Sequence, residues 1–106
     1  MSTVGARELG REGERMAARH LETQGYQIIN RGFRARRGEL DLICRRGDQM
    51  LVVEVKTRSS NRFGSPFEAV GARKRRALMA AWAEYQTLSG WHGPVKFAIA
   101  SITTAK

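Results

Sequence analysis

Two apolar runs with charges set inside them constrain this chain most: Glu39-Leu40-Asp41-Leu42-Ile43-Cys44 and Leu51-Val52-Val53-Glu54-Val55-Lys56. Both are rich in β-formers, and the polar Arg46-Gly47-Asp48 segment between them predicts a tight antiparallel hairpin. Strand side chains alternate with period two. Val52, Glu54 and Lys56 are therefore expected on one face, opposite Leu51, Val53 and Val55. Glu39 and Asp41 are expected on one face, opposite Leu40 and Leu42. In register, Asp41 then stands beside Glu54 and Lys56.

Two adjacent carboxylates raise one another's pKa, and a buried charge costs several kcal/mol unless compensated. A divalent cation resolves the conflict, since Mg²⁺ takes oxygen ligands while keeping several waters. Such a site supports phosphodiester hydrolysis, with Lys56 orienting the attacking water and neutralising charge on the phosphate. Spacing alone leaves a second reading open, a solvated sheet face carrying salt bridges. It also leaves open whether one or two metals act.

A helix is expected from about Val4 to Thr23, with Leu9, Met16, Ala17 and Leu21 on its inward stripe and Gly25 at its end. Glu14 shares that stripe, three residues before Ala17, so it is a candidate further acid; pairing with Arg11 or Arg15 is the plainer alternative. Tyr26 to Ile29 reads as a strand. Ser65-Pro66-Phe67-Glu68 reads as a helix start, with Ser as N-cap, Pro at the first helical position and Glu at N3. Leu78, Ala81, Trp82, Tyr85 and Leu88 repeat at helical spacing, and Val95 to Ile102 alternates as a last strand. The expected order is α-β-β-β-α-β, an α/β mixed sheet flanked by helices, forming one domain over residues 1–106.

Nineteen Lys and Arg against ten Asp and Glu give a net charge of +9. A field of that sign attracts polyanions, which favours nucleic acid over an anionic membrane because the basic residues lie on no strongly apolar helix. Arg31, Arg34, Arg36 and Arg37 form one basic run, and Arg73, Lys74, Arg75 and Arg76 another. About five phosphate contacts from them would give a salt slope near about −4.5. Arg34, Arg36, Arg37, Arg58 and Lys74 are the candidate nucleic-acid contacts; a solubilising surface is the alternative.

The single cysteine excludes an internal disulfide and lies in an apolar run, as an inert core thiol would. No signal-peptide pattern and no run of ~20 apolar residues is present, so a cytoplasmic location is expected. His20 and His92 carry little signal for a metal role. Trp82 and Tyr85 read as core residues and Trp91 as a surface anchor. Glu39 is as readily a strand-edge partner for an arginine as a supporting acid.

Asp41, twelve intervening residues and Glu54-Val55-Lys56 resemble the PD-(D/E)XK nuclease motif, with Leu40 in place of its Pro. Gly10-Arg11-Glu12-Gly13-Glu14, Gly38 to Ile43, Val53 to Arg58, and Pro66-Phe67-Glu68-Ala69-Val70 with Lys74 resemble successive blocks of the YraN family. That family comprises small bacterial proteins, mostly uncharacterised, similar to archaeal Holliday-junction resolvases. The resemblance covers nearly the whole chain. It implies a restriction-endonuclease-like fold, Asp41 and Glu54 as ligands of Mg²⁺ or Mn²⁺, Lys56 as catalytic lysine and Glu14 as the helix-borne acid. It further implies DNA, in branched or recombination form, as substrate, and a homodimer for symmetric cutting. A nuclease-like module that binds nucleic acid without cleaving it is the alternative. The chain departs from the family pattern at Gly32, where Asn is usual, and at Ala98, where an acid often follows the Phe.

Overall fold

The structure is a computed structural model and describes residues 6–58 and 71–103. Its elements are α1 (Ala6–Thr23), β1 (Gln27–Arg34), β2 (Glu39–Arg46), β3 (Gln49–Arg58), α2 (Ala72–Ser89) and β4 (Val95–Thr103). The strands form one sheet in the order β1-β2-β3-β4. The first two pairings are antiparallel and β3 runs parallel to β4. A parallel pair needs a crossover, and the segment carrying α2 supplies it. The expected α/β class and element order are borne out. The helix start expected at Ser65 to Glu68 lies outside the described residues.

The helices cover opposite faces of the sheet. Ala17, Ala18 and Leu21 of α1 pack with Leu42, Cys44, Leu51 and Val53. Leu78, Ala81, Trp82 and Tyr85 of α2 pack with Leu40, Ile43, Met50 and Val52. Each fully buried Leu, Ile or Val contributes about 1.5–3 kcal/mol relative to exposure. The α2 side is the more aromatic: Trp82 and Tyr85 lie 5.7 Å apart, and Phe33 meets Tyr85 edge-on at 5.2 Å. Among the described residues no helix is long and apolar enough to cross a membrane.

The helix ends follow local chemistry. After α1, the Tyr26 N–H donates to the Leu21 carbonyl and the Gly25 N–H to that of Glu22, the paired bonds that stop a helix at a left-handed residue. The stripe on α1 differs by one position from expectation. Gly13, Ala17, Ala18 and Leu21 are buried with Glu14 half-buried, while Met16 is 45% exposed. The true spacing is 13, 14, 17, 18, 21, which leaves residue 16 on the flank. Leu9's side chain lies outside the described residues. On α2, Leu88 is exposed because the helix has passed the edge of the core by its last turn.

A larger correction concerns β2. Leu40 and Leu42 do not share a face: Leu40 belongs to the α2 core and Leu42 to the α1 core. The alternation slips at Asp41, between them. On β1 the register is continuous at this point, with Arg31 opposite Leu42 and Phe33 opposite Leu40, so Gly32 faces Asp41; the register shift in this pair lies further along, between Ile28 and Asn30. Gly32 has φ 66°, a left-handed conformation that glycine adopts freely and asparagine tolerates better than other residues.

Candidate metal and nucleic-acid site

The β2–β3 register runs from Arg46 opposite Gln49 to Leu42 opposite Val53. The next pair in that register is Asp41 with Glu54, and there the ladder stops. β2 continues beside β1 to Glu39, while β3 continues beside β4 to Arg58. The sheet therefore forks, and the two carboxylates occupy the crotch.

Side chains replace the missing ladder bonds. The Val55 N–H donates to Asp41 Oδ2 at 2.8 Å, and the Asp41 N–H points at Glu54 Oε2 at 3.4 Å. Each acid thus meets the opposite strand's backbone at the point where the strands part. The period-two argument correctly brought Asp41 to Glu54. It could not supply the kink, because a slip of the alternation leaves no trace in a hydrophobic pattern made only of leucines.

Glu54 is the buried acid of the pair, 4% exposed. Its outer oxygen, Oε1, lies 3.2 Å from Lys74 Nζ, an ion pair whose lysine side chain is 40% exposed. Burial holds the Glu54 carboxyl above its ordinary pKa, with Asp41's charge adding to the rise and Lys74 opposing it. Asp41 is also raised, chiefly by burial, against the Val55 N–H and the charges of Lys74 and Lys56. Lys56 is half-buried beside the fork and acts on Asp41 through its charge.

Glu14 reaches the same region from α1. Burial raises its pKa, followed by the charges of Asp41, Glu39 and Glu54. It forms no hydrogen bond or ion pair among the described residues, and Arg15 pairs with Glu12 instead. The approach of α1 depends on Gly13, where an added Cβ would collide with the Thr57 side chain. Thr57 Oγ1 is buried there with no hydrogen-bond partner. Close helix–strand contact at this glycine keeps the following residue, Glu14, near the fork.

The donor set fits a hard divalent ion: two converging carboxylates, both raised in pKa chiefly by burial, with water access from Asp41's side. Among the described residues, however, no group of three or more His, Cys, Asp or Glu side chains stands together in metal-binding geometry. Asp41 and Glu54 are the residues that would hold Mg²⁺ or Mn²⁺, with solvent completing the shell. A depression of about 180 Å³, lined in part by Val52, Glu54, Leu78 and Ile99, opens beside Glu54. A larger one of about 550 Å³ lies between α1 and β4 and is mainly apolar, lined by none of the acids. Of these two depressions, the one beside Glu54 is the one with a carboxylate in its lining.

The basic residues divide into two sets. Arg34 pairs with Glu39 at 3.5 Å, so Glu39 is the strand-edge partner of an arginine. The Arg36 N–H donates to Glu84 Oε2 at 3.1 Å, which ties the β1–β2 turn to α2. That tie brings Arg37 to Arg73 and Arg76 around an open depression of about 360 Å³ floored by Ala77 and Ala80. These three guanidiniums form no ion pair among the described residues. Arg58 closes β3, and its side chain lies outside the described residues.

Three sequence readings are settled by environment. Cys44 is buried, which pushes its thiol up to about 11 and leaves it inert as a nucleophile. Trp82 and Tyr85 are core. Trp91 anchors a surface loop: its Nε1–H donates to the Pro94 carbonyl at 3.3 Å, and the Arg45 guanidinium stacks over its ring at 4.7 Å. Sequence reasoning named Lys74 as a candidate phosphate contact and missed its ion pair with Glu54. Its place one turn into α2 gives no clue, because the contact joins elements twenty residues apart.

Residues 13–102 match the model of the uncharacterised protein family UPF0102. A UPF0102 protein of Chlorobium chlorochromatii is 43% identical over 90% of this chain and 74% of its own length. One from Acidothermus cellulolyticus is 43% identical over 98% of this chain and 88% of its own. A third, from Syntrophomonas wolfei, is 57% identical over 64% of this chain and 59% of its own. The family expected from the sequence blocks around Glu14, Asp41 and Glu54 is thereby borne out, and the chain belongs to the UPF0102 (YraN) family.

Proposed function

We propose that this chain is a metal-dependent endonuclease that hydrolyses DNA phosphodiester bonds at the fork between β2 and β3. The observation that carries this reading is the Asp41–Glu54 pair, two desolvated carboxylates set where the sheet divides and flanked by Lys56 and Lys74. A purely structural ion-pair cluster would not need two acids whose carboxyls burial holds above their ordinary pKa inside apolar strands.

Asp41 and Glu54 hold Mg²⁺ or Mn²⁺ in this reading. The ion supplies Lewis-acid polarisation of the phosphoryl oxygen and a more acidic water. Lys56 orients the attacking water and offsets charge growing on the phosphate. Glu14, whose proton is held more tightly than an ordinary carboxyl's, supports the water network from the helix side. Arg37, Arg73 and Arg76 grip the backbone away from the cut without reading sequence. The likeness of the Asp41…Glu54-Val55-Lys56 pattern to PD-(D/E)XK nucleases supports the same assignment, and likeness to resolvases supports branched DNA and a homodimer that cuts symmetrically. A bacterial enzyme of this kind works in the cytoplasm, where its substrate is.

A second reading, a nucleic-acid-binding module that does not cut, is favoured by one observation: Glu54 Oε1 is held by Lys74. One assay separates the two. The protein is given linear, nicked, flap and four-way-junction DNA with Mg²⁺, Mn²⁺ or EDTA, beside Asp41→Ala and Lys56→Ala. Metal-dependent cleavage lost in both variants is the expected result. Binding without cleavage of any substrate would replace the enzyme reading with the second one.

A further inference from the structure

The ion pair between α2 and β3 has an asymmetry that assigns it a role. Glu54 is 4% exposed and set within a strand paired to β4, so its carboxylate has little room to move. Lys74 is 40% exposed on its side chain and carries its ammonium on a flexible four-carbon stem. It sits in the first turn of α2, where the helix dipole disfavours a cation. Any rearrangement of this pair moves the lysine.

The oxygens at the fork are also unequally committed. Asp41 Oδ2 is taken by the Val55 N–H at 2.8 Å, and Glu54 Oε2 faces the Asp41 N–H. The Glu54 oxygen free of a backbone contact, and so the one best placed to take a cation joining the two carboxylates, is Oε1, which Lys74 holds at 3.2 Å. An ammonium and a divalent ion on one carboxylate oxygen repel strongly in this partly desolvated setting.

We propose that Lys74 is a tethered counter-ion that a divalent cation displaces from Glu54, so that metal loading and release of the Lys74 ammonium are one exchange. The proposal rests on the metal-site reading above and adds what that reading lacks, the cation that balances Glu54 when no metal is bound. Arg73 and Arg76 lie on the same turn of α2, beside Arg37. The released ammonium joins those guanidiniums in facing the phosphates, so metal and DNA reinforce one another's binding. Lys74 is thus a positioning residue, holding the metal-free fork together and then serving the bound polyanion.

The test is metal binding by the full chain without DNA. Mn²⁺ is titrated calorimetrically into the wild type and into Lys74→Met, which keeps the stem and removes the charge, with Asp41→Asn as the control that locates the ion. Mn²⁺ is expected to bind Lys74→Met about tenfold more tightly than the wild type, within the range by which outer partners tune metal affinity. In the wild type, the Lys74 side-chain NMR signals should move in step with Mg²⁺ occupancy, a measurement that needs no variant to fold. Equal or weaker Mn²⁺ binding by a folded Lys74→Met, or Lys74 signals unmoved at saturating Mg²⁺, would overturn the exchange while leaving the metal site standing. No binding by the wild type at any concentration would instead remove the metal-site reading itself.

Discussion

The two ends of the β2–β3 hairpin are built by opposite rules. Toward the turn, from Arg46 opposite Gln49 to Leu42 opposite Val53, the ladder is complete, and Leu42, Ile43, Cys44, Val52 and Val53 within it are fully buried. One position further, the ladder stops, the alternation slips, and two carboxylates fill the gap. The first end puts every local choice in service of packing. The second places charge where burial penalises it and offsets part of the cost with Lys56, Lys74 and backbone N–H groups. Conflict between stability and local chemistry is the feature on which the proposed site rests.

That contrast is most easily broken by substitutions at each end. Ile43→Ala, in the closed half, should cost about 2–5 kcal/mol of unfolding free energy in a denaturant titration, because it leaves a cavity beneath α2. Glu54→Gln, in the fork, should cut metal-dependent cleavage by ~10²-fold or more while leaving the metal-free melting temperature equal or a few degrees higher. A sharp loss of stability in Glu54→Gln would mean that the carboxylate serves the fold, and the two ends would then follow one rule.

The sign of the pH dependence sharpens the same point. Glu14, Asp41 and Glu54 all have folded pKa values above their ordinary ones, so the folded chain holds more protons than the unfolded one. Their destabilising effect is complete above the folded values and vanishes below the unfolded carboxylate range near ~4. Metal-free wild type should therefore gain stability as pH falls from neutral toward that range, and Asp41→Asn/Glu54→Gln should gain less. Melting curves at several pH values decide it.

Smaller effects probe the hinge and the basic face. Gly32→Val should lose about 1–2 kcal/mol, since a β-branched residue resists φ 66°, and Gly32→Asn should lose less than half of that. Equal losses would dissociate the kink opposite Asp41 from backbone handedness. Arg73→Ala/Arg76→Ala should lower the magnitude of the logarithmic salt slope of DNA binding by about 2, measured by fluorescence anisotropy. Least of all, Arg45→Ala at the turn end should cost about 0.5–1 kcal/mol by removing the stack on Trp91.

Much of the molecule was legible in one dimension. Period-two alternation found β2 and β3 and placed Asp41 next to Glu54, and the helical period placed Glu14 inward. Met16 and Leu88 were misplaced because an apolar residue one step off the stripe, or past the end of the core, looks the same in sequence as one inside it. The slip at Asp41 was invisible because leucine fills both cores equally well.

By itself, then, the sequence determined the elements, their order, the acid pair and the cationic surface, since each follows from periodicity, turn chemistry or summed charge. Tertiary structure alone decided which cation meets Glu54, that Arg37 joins Arg73 and Arg76, and that the sheet forks at the acids. Those facts are distances between segments remote in the chain. They arise when α2 packs across β2 and β3, and no local pattern encodes them.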